Sequence, residues 1–306
     1  MDIGGTSLKS AVLSGECEVL LNSFSLTSIN SRGSAEQIIA TITSMLKKQS
    51  QEANNFGELK GIGLSIPGPF DYEKGISLMK HKFQNIYGLN LRSEITKMLA
   101  LPERLPVIFE EDSAAFLKGE AWMGNAKGFN RIIGLTLGEG LGASFMVNGK
   151  ITRDTSQGTP PDGELWHLPC EGGILEDKLS RRGIMQIYRE ITGSSEESDV
   201  KDIALRAESG DVSSIRTFEE FGLIMGQLLK PHVQRFNAEC IVIGGQISKS
   251  FELFATPLSK VLSLTPSLKK VTRAKSVELS PLYGLLRYFL EMVGINYGFN
   301  KGLSHK

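Results

Sequence analysis

MDIGGTSLKSAV, residues 1–12, places a carboxylate, two adjacent glycines and a hydroxyl within the first six positions of the chain. Gly4-Gly5 has two readings. Two glycines between short apolar strands make a tight hairpin, and glycine's missing Cβ also lets the backbone approach a ligand closely enough to offer N–H groups to phosphate oxygens. Thr6 adds a hydroxyl donor beside them. Asp2 is placed to hold, directly or through water, the Mg²⁺ that accompanies a nucleotide's phosphates.

Two further glycine turns extend this pattern. LGEGLGA at 137–143 follows an apolar run and carries Gly138, Glu139 and Gly140, and IVIGGQIS at 241–248 ends a buried-type strand in Gly244-Gly245, where a flat adenine or ribose could lie against backbone. Each turn alone reads as structural. Between the first two lies PVIFEEDSAAFLKGE, in which an apolar strand delivers Glu110, Glu111 and Asp112 to its end just as a helical pattern begins. Asp112 is then either the N-cap of that helix or a general base for a hydroxyl; capping would depress its pKa.

Apolar runs bounded by Gly or Pro alternate with helical patterns, which reads as an α/β fold. Strands are expected at LKSAVL, LKGIGLSIPG, PVIFEE, RIIGLTL with GASFMVNGKI, and AECIVIGG; helices near 34–50, from 112, 176–192, 215–235 and from about 251 onward. DTSQGTPPDGE is the most loop-like segment. At 306 residues the chain is long enough for two lobes. Lys+Arg and Asp+Glu both total 34, so no broad field draws nucleic acid or an anionic membrane. The three cysteines, Cys17, Cys170 and Cys240, lack CxxC spacing, so neither a disulfide framework nor a cysteine-built zinc site is expected, and a reducing cytoplasm fits. No apolar stretch reaches the ~18 residues of a membrane span, and no secretory signal pattern opens the chain.

In order, DIGGT, GIGLSIPG, EEDSAA with a following GE, LGEGLGA, GELWH and IVIGGQIS resemble the ROK family of sugar kinases and sugar-responsive repressors over nearly the whole chain. The resemblance implies a two-lobed actin-like, hexokinase-like (ribonuclease H-like) fold with a nucleotide and sugar cleft between lobes. It also implies transfer of the γ-phosphate of ATP, with Mg²⁺, to a hexose or N-acylhexosamine hydroxyl, usually the 6-hydroxyl, as in glucokinases. On that basis Asp112 is the catalytic base and Asp2 the magnesium residue. Gly4, Gly5, Thr6, Gly138, Glu139, Gly140, Gly244 and Gly245 bind ATP, while Gly68, Glu111, Asp112, Glu164, His167 and Glu176 bind sugar, with Pro67 and Asp71 beside it. Residue by residue, His167 also reads as a core or surface histidine, Glu176 as a first-turn helix residue, and Trp122 and Trp166 as packing anchors. The implied lobes are residues 1–112 with 285–306, the latter holding a terminal helix near 285–304, and residues 113–284. The family is often dimeric, which leaves a homodimer open.

Four departures qualify the resemblance. HLPCEGGILE holds only Cys170 where the family carries a zinc-binding cysteine loop, so a shortened loop and no structural zinc are expected. Glu111 replaces the asparagine usual beside the base and can only accept hydrogen bonds when ionised. Glu139 replaces a threonine next to the phosphates, which a carboxylate repels. Only Met1 and Asp2 precede Ile3, so the first strand is expected to be short, whether from a late start or a trimmed chain, with no room for a helix-turn-helix ahead of it. The alternative reading is therefore a catalytically impaired sugar-sensing protein without a DNA-binding segment.

Overall fold

Residues 1–193 and 198–294 are described by the computed structural model. They fold as two compact units, one of residues 1–119 with 278 onward, the other of residues 120–277. The sequence reading divides the chain at 112 and 285.

The first unit begins with β1 (Asp2–Ile3), β2 (Ser7–Ser10) and β3 (Ser25–Ser28), an antiparallel meander. α1 (Ala35–Asn54) follows, opened by a capping box in which Ser34 and Gln37 each accept the other's backbone N–H. Its Ile38, Ile42, Met45 and Leu46 recur at helical spacing and are buried against the sheet's Ile3, Leu8 and Leu64. β4 (Ile62–Ile66) is followed by the small hairpin of β5 (Phe70–Asp71) and β6 (Ile76–Ser77), then α2 (Leu91–Met98), β7 (Val107–Glu111) and α3 (Asp112–Met123). The sheet order is β3-β2-β1-β4-β7, with β1, β4 and β7 parallel. β4 and the first three residues of β7 are mostly buried, as parallel strands covered on both faces should be.

The second unit repeats the plan. β8 (Arg131–Leu137), β9 (Leu141–Val147) and β10 (Lys150–Ile151) form a meander. Next come the hairpin of β11 (Pro169–Cys170) and β12 (Gly173–Ile174), then α4 (Leu175–Lys178), α5 (Arg181–Thr192), α6 (Val200–Glu208) and α7 (Val212–Phe236). β13 (Cys240–Gly244), α8 (Phe251–Leu262) and β14 (Lys270–Arg273) complete it. The order is β10-β9-β8-β13-β14, again a three-strand meander extended by two parallel strands. The core gathers Phe145, Phe218, Phe221, Phe236 and Phe254, with Phe221 and Phe254 edge to face at 5.3 Å.

α9 (Ser280–Met292) returns to the first unit. It meets α3 at backbone distance: a Cβ on Gly284 would lie 1.7 Å from Ala115 O, and one on Gly119 would lie 1.8 Å from Ser280 O. The expected terminal helix overlaps α9, and its part beyond residue 294 lies outside the described residues. The run 176–192 is two helices rather than one, and the region after 262 contains β14 before its next helix. Among the described residues no helix is long and apolar enough to cross a membrane.

Candidate active site

In the first unit, strand register does the positioning. Asp2 stands directly opposite Lys9 on β2 and Ser65 on β4, so the three side chains share one face of the sheet. The buried Asp2 carboxylate accepts from Ser65 Oγ at 2.8 Å and from Lys9 Nζ at 3.3 Å. β7 ends beside β4, with Glu111 paired to Ile66 and Asp112 next in the chain. Although Asp112 keeps some exposure, burial around its carboxyl raises its pKa from 3.8 to about 7. The charges of Glu111 and then Asp2 add to the rise, and the Ser113 N–H and Lys82 oppose it. The expectation that capping depresses this pKa is therefore overturned. The carboxylate accepts the adjacent Ser113 N–H at 2.8 Å, and that single bond is outweighed by desolvation and two neighbouring acids.

The opening glycines form a hairpin turn in which Gly4 N–H donates to Ser7 O at 2.9 Å. Nothing lies within 4 Å of where a Gly5 Cβ would stand, and Thr6 is exposed, so the turn is also open to a ligand. Gly68 follows the end of β4 near Glu111's partner Ile66, with Tyr72 Oη donating to Ile66 O at 3.1 Å. Asp71 closes the next turn by accepting the Lys74 N–H. At the sheet's start, β1 is two residues long, and the Met1 amino group is buried and donates to Gly63 O at 2.7 Å. Its pKa falls from 8.0 to about 5 through burial, partly offset by Asp2.

In the second unit the other two glycine motifs meet. Gly138 N–H donates to Gly140 O at 3.0 Å to close the β8–β9 turn, and Gly244 on β13 pairs with Thr136 on β8. Gly245, at φ 79°, passes so close that a Cβ would stand 2.2 Å from Leu137 O, a position only glycine can fill. Gly138, Glu139, Gly140, Gly244 and Gly245 are thereby gathered at the ends of two adjacent parallel strands. Glu139 sits at the turn's tip with its side chain 64% exposed, 3.6 Å from Arg181 Nε.

Glu164, His167 and Glu176 are brought together through Trp166. Trp166 Nε1 donates to Glu164 at 2.5 Å, and Trp166 O accepts the Glu176 N–H at 3.0 Å. His167 Nδ1 is 3.8 Å from Glu164 and is buried without a hydrogen-bond partner. Glu176 reaches back to the glycine turn, accepting the Leu141 N–H at 3.0 Å, and its other oxygen meets Arg182 at 3.3 Å. A Gly140 Cβ would lie 2.5 Å from that carboxylate, so the glycine makes room for the contact. Trp122 is buried, whereas Trp166 is 42% exposed and edge-on to His167, which corrects its reading as a packing anchor. HLPCEGGILE forms the β11–β12 hairpin.

Lys9, Ser65, Lys82, Arg181 and Arg182 were not read from the sequence. Only Lys9 left a signal: a hairpin at Gly4-Gly5 pairs it with Asp2. Among the described residues no group of three or more His, Cys, Asp or Glu side chains is arranged to hold a metal ion. Asp2 alone still suits Mg²⁺, a hard cation that keeps water and substrate phosphates in its shell and needs only one or two carboxylates.

Two sheets of matching order, each with a glycine hairpin on its first strand pair, define the actin-like, hexokinase-like ATPase fold. The chain belongs to the ROK family, whose model matches residues 1–285. It is 26% identical to a glucokinase of Thermotoga maritima, over 96% of this chain and 97% of that one. It is 25% identical to an N-acetyl-D-glucosamine kinase of Haemophilus influenzae, over 95% and 98%. The ROK family glucokinase from Streptomyces griseus, solved in complex with glucose and AMPPNP, superimposes with a TM-score of 0.74 at 22% identity, over 94% of this chain and 97% of that one.

Proposed function

We propose that the protein transfers the γ-phosphoryl group of ATP to the 6-hydroxyl of a hexose or N-acylhexosamine. One observation carries the reading: Asp112, at the tip of β7, has a carboxyl pKa raised to about 7, which is where a general base works best near neutral pH. The names of the relatives, glucokinase and N-acetyl-D-glucosamine kinase, support the substrate class.

In the proposed step the sugar oxygen attacks the γ-phosphorus and its proton passes to Asp112. The bond from phosphorus to the β,γ-bridging oxygen breaks, and ADP leaves. Gly4 and Gly138 have spent their N–H groups on closing their turns, so donation to phosphate falls to Gly5, Thr6, Glu139 and Gly140. Gly244 and Gly245 take the adenosine. Asp2 is the residue to hold Mg²⁺, which when bound neutralises charge on the phosphates. Gly68, Glu111, Glu164, His167 and Glu176 hold the sugar, and a sugar hydroxyl supplies the partner that the buried His167 Nδ1 lacks. Glu176, already engaged by Leu141 and Arg182, offers only its remaining lone pairs.

A coupled assay across hexoses and hexosamines tests this. Wild type should release ADP only with sugar, and Asp112→Asn should lower turnover by about 100-fold or more. ADP release indifferent to sugar, or undiminished in the variant, would reject the proposal.

A further inference from the structure

The second phosphate turn carries a carboxylate, Glu139, where phosphate oxygens would approach, and the structure places a cation against it. Arg181 opens α5, and its backbone N–H donates to Gly138 O at 2.9 Å, which fixes the start of the helix to the turn. Its Nε lies 3.6 Å from Glu139 and 3.1 Å from Asp199. Asp199 also accepts the Val200 N–H at 2.6 Å, so the group that holds the guanidinium is itself held by the start of α6. Nothing lies within 4 Å of a would-be Cβ on Gly138, which leaves open space over the turn. Ser180, at the N-cap of α5, is fully buried, makes no side-chain cap and has an unpartnered Oγ. In the first turn of this 12-residue helix the Arg181 N–H is taken by Gly138 O, and those of Arg182 and Gly183 are left without a capping hydroxyl.

We propose that Arg181 is a nucleotide-positioning residue of this chain. Held between Glu139 and Asp199, its guanidinium offsets the charge that Glu139 brings to the turn, and the N-terminus of α5 adds the partial positive charge of its unbonded N–H groups. This rests on the kinase reading above, and it explains how the chain can bind ATP with a carboxylate in its phosphate turn.

The test is a mutant cycle read by steady-state kinetics and by calorimetric affinity for ATP with Mg²⁺, using wild type, Arg181→Ala, Arg181→Lys, Glu139→Thr and the Glu139→Thr/Arg181→Ala double variant. Arg181→Ala should raise KM and Kd for ATP about tenfold while leaving KM for sugar unchanged, and Arg181→Lys should recover most of the loss. With threonine at position 139, Arg181→Ala should cost only about two- to threefold, because there is no carboxylate to cancel. Equal losses in both backgrounds, or a fall in kcat with ATP affinity unchanged, would overturn the proposal. If wild type binds ATP but releases no ADP with any sugar, the kinase reading fails while the ATP affinities still decide the role of Arg181. If wild type binds no ATP, both fail.

Discussion

The Asp112 carboxyl is held away from its ordinary range. Asp112 binds its proton more tightly in the folded chain, moving from 3.8 to about 7. Folding therefore loses stability as pH rises between these values; the penalty is absent below the lower and fully present above the higher. Asp112→Asn removes it, and should raise the unfolding free energy at pH 8 by on the order of a few kcal/mol, read in denaturant melts, while changing little at pH 4. The same carboxyl should make kcat/KM for sugar fall as pH drops below about 7; in a pH–rate profile Asp112→Asn should lose that acid limb, whereas Asp112→Glu, which keeps a carboxyl, should retain one. Sequence made Asp112 legible as an acid at a strand end. It did not reveal the direction of its shift, because the largest cause is burial of the carboxyl, which only the fold creates, and Asp2, which adds to the rise after the adjacent Glu111, arrives through strand order and not through chain proximity.

Helix against helix, α3 and α9 leave each other no room for a methyl group at Gly119 and Gly284, where the atom in the way is the other helix's backbone carbonyl. Gly284→Ala should cost about 3 kcal/mol or more in denaturant melts, because main chain cannot step aside as a flexible side chain can. Gly138→Ala, with open space around it, should cost far less stability and act on ATP affinity instead. The strands and helices that could be read in advance are those with strong patterns. β4, β7, β8 and β13 are apolar runs buried by parallel pairing, and α1 and α7 are long and amphipathic. β3 (SLTS) and β14 (KVTR) are short edge strands with largely polar faces, so they leave no apolar run to find. The break between α4 and α5 falls at Leu179-Ser180, where no Gly or Pro announces it. That break gave Arg181 its place, which is why a residue central to the second glycine turn was invisible in the letters around it.

The whole molecule is two sheets of one design. The second unit is contiguous in the chain, whereas the first is completed by residues from 278 onward. Gly61 and Gly63, on and beside β4, lie within 2.3 and 3.3 Å, measured from a would-be Cβ, of Phe289 and Leu285 on α9. A fragment of residues 120–277 should thus fold and melt cooperatively alone, while residues 1–119 alone should show no cooperative melt and should gain one when a peptide spanning α9 is added. Circular dichroism on the two fragments checks both outcomes. For a chain emerging from a ribosome, the order of completion is inverted: the sheet of the first unit must wait, with an apolar face bare, until α9 appears. In that interval it is a natural client for chaperones and the point at which overexpression would lose material to inclusion bodies.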